Sequence, residues 1–174
     1  MNSMKIFVIN PGSTSTKLAL YDGTTPVWAE SVYHPLAELA QFSRVNEQLE
    51  YRKQHVYSTL QKENIPLDFD VIIARGGLLK PTPGGVYRIT ERIKSDLWNA
   101  SMEHVSNLAA LIADDIAQRI GCPSFIADPV VTDELQDVAR LTGIPEIPRI
   151  SIFHTLNSRA VSRRYAARIQ KRYE

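Results

Sequence analysis

"VINPGSTSTKLALYDG", residues 8–23, decides the fold. Two apolar, β-prone runs, KIFVIN (5–10) and TKLALYD (16–22), stand on either side of a short turn at 11–15. A connection that short cannot carry a crossover helix, so the runs read as an antiparallel pair. The turn itself is Pro-Gly followed by hydroxyl side chains and Lys17. Backbone N–H groups in such a turn, with the hydroxyls of Ser13, Thr14, Ser15 and Thr16, can cradle phosphate oxygens while Lys17 supplies charge. The helix-linked phosphate loop G-x-x-x-x-G-K-[ST] is not met: Thr16 stands where the second glycine belongs, and a strand follows. The same composition also suits a polar hairpin turn with no ligand.

Outward from this hairpin, TPVWAESVYH (25–34) follows Asp22-Gly23 and completes a three-stranded meander. A helix is expected over 36–63, with Val45, Leu49, Val56 and Leu60 on one face. DVIIARGG (70–77) reads as a buried strand running into a glycine pair, and 78–90 as a loop with a short strand. Helices follow at 91–101 and 104–120, the second with an apolar stripe of Leu108, Leu111, Ile112, Ile116 and Ile120 stopped by Gly121. SFIAD (124–128) is a strand ending in an acid, and RISIFH (149–154) a strand or extended segment. A last helix from about 155 carries Leu156, Ala160, Tyr165 and Ile169. Strands alternating with helices indicate an α/β domain.

The bulk numbers narrow the function. The chain has 174 residues, the size of one domain, and 44% hydrophobic content, enough for a core. Twenty basic against 19 acidic residues argue against a general nucleic-acid or membrane-surface protein. A single cysteine, Cys122, excludes an internal disulfide and fits a reducing cytoplasmic compartment. No apolar run reaches a membrane span, and the N-terminal apolar core is too short for a signal peptide.

Other candidate residues sit at strand ends. Arg75, before Gly76-Gly77, could clamp a carboxylate or phosphate with two prongs; it could equally be a surface arginine beside a turn. Asp128 precedes Pro129, where an acid orients Mg²⁺ or simply starts a turn. His154 ends an apolar segment before a helix, and His104 opens another; a lone histidine is more often structural. His34 and His55 have no supporting context, and the histidines and cysteine lack close metal-ligand spacing. The basic run over 159–172 reads as a solvated helix face ahead of an RNA-binding one.

Five ordered segments, NPGSTSTK, RGGLLKPTPGG, HVSNLAALIA, ADPVVTDE and FHTLNSRAVSRRYA, resemble the acetate and butyrate kinase family, and the second and fifth resemble its butyrate kinases. The resemblance covers essentially the whole chain. It implies a ribonuclease-H-like, actin-like ATPase domain: a mixed sheet with an antiparallel N-terminal meander, flanked by helices. It implies an ATP-dependent carboxylate kinase, ATP + butyrate = ADP + butyryl phosphate, with acetate, propionate or branched-chain acids as alternatives. A non-catalytic module binding a phosphate-bearing ligand is the rival of another class. By resemblance, Asn10, Gly12, Ser13, Thr14, Ser15 and Lys17 form the first phosphate loop, with Asn10 and Asp128 near the Mg²⁺. His154 would stabilise the transferring phosphoryl group, and His104 would be a second active-site histidine. Phe153 matches an aromatic of the acyl pocket. Such chemistry needs positioning and charge neutralisation more than covalent work.

The chain also departs from the family. Acetate kinases have His-Gly-Gly at Arg75-Gly76-Gly77 and their substrate arginine three residues earlier, where Ile72 stands, so Arg75 is expected to take the carboxylate or phosphate role. Ala74 replaces a valine, which would leave room for a longer acyl tail, and Glu103 replaces an apolar residue. Family members are about twice as long. The resemblance therefore implies that residues 1–174 are an N-terminal domain, inactive by itself. A second nucleotide-binding domain would be its partner in the same enzyme, and the full-length form would be a homo-oligomer.

Overall fold

The computed structural model describes residues 3–173. Lys5–Pro11 (β1), Ser15–Asp22 (β2) and Thr25–Tyr33 (β3) form the expected meander. β1 and β2 pair without a slip from Lys5↔Asp22 to Pro11↔Thr16. Their turn is tighter than the sequence suggests: only residues 12–14 lie outside the strands, and Gly12 N–H donates to Ser15 O at 2.6 Å. Val71–Arg75 (β4), Val86–Arg88 (β5) and Ser124–Ala127 (β6) complete the sheet in the order β3-β2-β1-β4-β6-β5. β1, β4 and β6 run parallel, and β5 closes the edge antiparallel to β6.

Strand alternation sorts the side chains. Phe7, Ile9, Leu18, Ile72, Ala74 and Ile126 are buried on one face. Val8, Asn10, Ala19, Ile73, Arg75 and Phe125, on the other, are only partly buried.

The single helix expected over 36–63 is three pieces: Leu36–Leu39 (α1), a 3₁₀ turn at Val45–Gln48, and Leu49–Lys62 (α2). Glu47 accounts for the break. Its carboxylate accepts the N–H groups of Ser43 at 2.8 Å and Arg44 at 3.2 Å, which gives the chain a fresh helix start. Glu103 adds to it, accepting Val45 N–H at 2.9 Å and Arg44 Nε at 2.6 Å. The predicted face survives: Val56 and Leu60 are buried, with Val45 and Leu49 packed beside them.

Glu91–Trp98 (α3) starts at Thr90, whose hydroxyl accepts Ile93 N–H. Asn107–Ile120 (α4) lies under the buried face of the sheet. Leu108, Ile112 and Ile116 are fully buried as the stripe predicts, whereas Leu111 and Ile120 are only half-buried. Ala109, Ala110, Ala113 and Ala117 complete the buried surface, and such short side chains let the helix come close to the strands. Gly121 ends it at φ +76°, a left-handed cap that glycine adopts without strain.

Asp137–Arg140 (α5) is a single turn. Residues 149–154 are not a strand, because isolated bonds replace a ladder: Phe153 N–H to Val130 O at 2.8 Å and Ser151 Oγ to Thr132 O at 2.6 Å. Thr155–Arg168 (α6) keeps the predicted start, but its stripe is not buried. Leu156 is half-buried and Ala160, Tyr165 and Ile169 are exposed, since no element among the described residues packs along them. No helix among the described residues is long and apolar enough to cross a membrane.

Candidate functional site

The three parallel strands end at one edge, and each delivers a polar group there. β1 delivers Asn10, β4 Arg75, and β6 runs into Asp128. In open α/β sheets this carboxyl edge is where ligands bind. Two glycines bring the pieces together. A Cβ at Gly76 would lie 2.8 Å from Pro129 Cα, and one at Gly77 2.7 Å from Asn107 Cα, so only glycine lets β4 run on between the β6 turn and the start of α4.

A cavity of about 260 Å³ opens at this edge. Asn10, Gly12, Ser13, Ser15 and Lys17 line it from the hairpin, and Arg75, His104 and His154 from the opposite side. Ser106 and Val130 also line it. Ser106, which hydrogen-bonds His104 Nδ1 at 2.6 Å, was legible only as a polar residue two places after a histidine; Val130 had no signal at all.

Asp128 is held in the left-handed region at φ +48°, which aspartate tolerates better than most residues. Its Oδ1 accepts the N–H of Leu156 at 3.1 Å and so ties the strand end to the first turn of α6. Its Oδ2 is 3.9 Å from Arg75 Nη2 and 3.6 Å from His154 Nδ1, beyond hydrogen-bond reach of both. That oxygen retains free lone pairs. His154 Nδ1 is buried and has no hydrogen-bond partner among the described residues. Burial and the nearby Arg75 charge lower the His154 pKa below its usual 6.5, against the opposing pull of Asp128. The ring is therefore neutral near pH 7. Lys17 and Arg75 line the cavity and no carboxylate is among its lining residues, an arrangement suited to an anion.

Asp128, beside Arg75 and His154, is not itself among the lining residues, and three more expected residues lie elsewhere. Thr14 is exposed at the hairpin tip and does not line the cavity. Ala74 is fully buried, on the face opposite Arg75, so it borders the core against α4 and does not line this cavity. Strand parity dictates this: neighbours on a strand cannot share a face. Phe153 is 44% exposed and also stands off the cavity, as does Glu103, which caps the 3₁₀ turn instead. A larger cavity, about 590 Å³, is walled by Leu78, Leu79, Met102, Ile150 and Ile152 among others and holds none of the sequence-predicted residues.

No family model matches the chain. Sequence relatives do. The probable butyrate kinase of Phocaeicola vulgatus is 66% identical over 171 residues, which are 98% of this chain and 48% of that protein. Butyrate kinase 2 of Clostridium acetobutylicum is 44% identical over 172 residues, again 98% of this chain and 48% of the relative. Nearly the whole of the chain is thus similar to butyrate kinases. It spans about half the length of the curated butyrate kinases it matches. Solved structures agree on the fold. Acetate kinase from Porphyromonas gingivalis superposes with a TM-score of 0.62 over 98% of this chain and 50% of its own, at 13% identity. A propionate kinase from Francisella tularensis gives 0.57 over 97% and 50%, at 15% identity. The butyrate kinase relationship and these neighbours together give the domain an actin-like ATPase fold, with the mixed sheet and antiparallel N-terminal meander that the family resemblance implies.

Proposed function

We propose that this chain supplies one side of the active site of an ATP-dependent carboxylate kinase that converts butyrate and ATP to butyryl phosphate and ADP. One observation carries the reading: the phosphate-loop residues Asn10, Gly12, Ser13, Ser15 and Lys17 share a single cavity with Arg75, His104 and His154. In this role the hairpin amides and Lys17 hold the phosphates, while Arg75 orients the acceptor carboxylate or the phosphoryl group. His154 and His104 lie where charge builds up on the transferring group and stabilise it by hydrogen bonding. The acceptor is already a carboxylate, so no strong base is required, and a direct in-line transfer suffices.

The cavity fits Mg²⁺, which takes one or two carboxylates and completes its shell with phosphate oxygens and water. Asp128 Oδ2 has free lone pairs and lies beside Arg75 and His154, which line the cavity together with the Asn10 amide. The described residues hold no cluster of three His, Cys, Asp or Glu groups, so Asn10 and Asp128 would hold the ion together with the nucleotide. Bound there, Mg²⁺ supplies charge neutralisation across the phosphates.

The relatives' second half would provide the rest of the nucleotide clamp, so the 174-residue chain should bind MgATP weakly and not turn over. The test joins this chain to the remaining half of the Phocaeicola vulgatus relative and measures acyl hydroxamate from butyrate, MgATP and hydroxylamine. Hydroxamate from the joined protein, and its loss in Asp128→Asn and His154→Ala, is the expected result. MgATP binding without turnover in the joined protein would favour a non-catalytic module. A series of C2 to C5 acids measures chain-length preference, and a preference for acetate would overturn butyrate as the substrate.

A further inference from the structure

Beneath the hairpin, on the side away from the cavity, lies Arg52 of α2, with no exposed surface at all. Its guanidinium makes four hydrogen bonds, all to neutral oxygens. Nη1 donates to Gly12 O at 3.0 Å and to Thr16 Oγ1 at 3.3 Å. Nη2 donates to Ser13 O at 3.0 Å, and Nε to Gln48 Oε1 at 3.0 Å. A buried cation without a carboxylate partner is costly, and such residues persist where they do something for the structure around them. Here it is the fork geometry that matters. One planar group grips two successive carbonyls of the turn from two nitrogens in a rigid fork, a geometry that the single ammonium of a lysine lacks.

The consequence follows from peptide planarity. In a trans peptide the C=O of one residue and the N–H of the next point in opposite directions. The carbonyls of Gly12 and Ser13 are drawn toward Arg52, and Thr14 O is drawn toward His34 N–H at 2.8 Å. Three successive carbonyls are thus pulled to the α2 and β3 side. The N–H groups of Ser13, Thr14 and Ser15 are turned the other way. Those of Ser13 and Thr14 meet no acceptor among the described residues. Successive free amides aimed outward form a concave anion site. A fixed positive charge lies directly behind it.

His34 braces the same corner. It is fully buried, its Nε2 bonds Thr16 Oγ1 at 2.8 Å, and its ring packs on those of Tyr51 and His55. Thr16 Oγ1 therefore lies between His34 and Arg52.

We infer that Arg52 is the positioning residue of the hairpin: by holding the Gly12 and Ser13 carbonyls it presents the Ser13 and Thr14 amides to a phosphate group. The role rests on the anion-site reading proposed above, but it makes a prediction about the loop that needs no ligand.

The test compares the wild-type chain with Arg52→Lys and Arg52→Met by amide NMR, thermal melting and titration with tripolyphosphate. The lysine keeps the charge without the fork; the methionine keeps only an apolar stem. Expected are cooperative melts in both, shifted and faster-exchanging amides at Ser13 and Thr14, and unmoved amides in α4. Losing charged hydrogen bonds of this kind should weaken tripolyphosphate binding about tenfold or more. Wild-type loop amides in both variants, or wild-type affinity in R52K, would overturn the role. If R52M does not fold, Gln48→Leu carries the test by freeing Arg52 Nε, and displaced loop amides are again expected; undisturbed ones refute it. If the wild-type chain binds no tripolyphosphate while the variants still displace the loop, the anion-site reading falls and the positioning role of Arg52 stands.

Discussion

Gly77→Ala is the sharpest single probe of how the site is assembled. The added Cβ would lie 2.7 Å from Asn107 Cα and 2.9 Å from Asn107 N, both backbone atoms of the first turn of α4. Carbon contacts are comfortable at about 3.5–4.0 Å, so the strand end or the helix must move by roughly 1 Å. Backbone cannot swing aside as a side chain can. Overpacking of this kind costs about 1–3 kcal/mol. For a domain of this size that lowers Tm by about 2–4 °C per kcal/mol, or about 2–12 °C in all. The same movement separates His104 and Ser106, just ahead of α4, from Arg75, so anion affinity should fall as well. Two other glycines serve as controls. A Cβ at Gly143 meets nothing within 4 Å and its φ is not positive, so Gly143→Ala should be neutral or stabilise by about 0.4–1 kcal/mol. Gly121 also has open space but sits at φ +76°, so Gly121→Ala should cost about 1–2 kcal/mol from backbone strain alone, leaving anion binding unchanged. Urea midpoints at constant slope give the stabilities, and phosphate titration the affinity. If G77A and G143A unfold at the same midpoint, the close approach of β4 to α4 is not what holds the site.

Acidification should destabilise the fold through the buried His34. Burial, Arg52 and His55 lower the His34 pKa from 6.5 to about 4, so the unfolded chain takes up its proton first. Stability from this group is complete above about pH 6.5 and is lost as the pH falls toward 4. In the His34→Gln variant the urea midpoint should fall less over that window, and parallel curves for the two proteins would contradict the assignment. Ile112→Ala removes a fully buried side chain of α4 and should cost about 2–5 kcal/mol by denaturant unfolding, with a smaller loss showing that the core closes over the gap.

Much of this was legible because local rules forced it. The turn between KIFVIN and TKLALYD is too short for anything but a hairpin, and a hairpin puts Asn10 opposite Lys17. Arg75 and Asp128 were legible as polar residues ending apolar strands. Ala74 went astray although the signal was present, since its parity with Arg75 already excluded a shared face. The break in the helix over 36–63 turns on Glu47, whose carboxylate takes the Ser43 and Arg44 N–H groups, but with Arg44 at the N-cap the usual Ser/Thr signature of such a start is missing from the sequence. Arg52 and His34 were beyond reach. Arg52 sits in a helix among Lys, Gln and Glu, and nothing local says that it points inward to carbonyls in a turn distant along the chain. His34 becomes intelligible only beside Tyr51 and His55, which a separate helix brings to it.

The strand order also bears on folding kinetics. The β1–β2–β3 meander consists of contacts between sequence neighbours and can form early. Pairing β4 with β1 must wait for the closure of the whole segment 12–70, and β6 for that of 76–123 as well. The hairpin half of the cavity therefore precedes the half that carries Arg75, His104 and His154. A chain stalled at the meander would own its phosphate turn and lack everything that faces it, so the growth of anion binding during refolding should track the last pairing step.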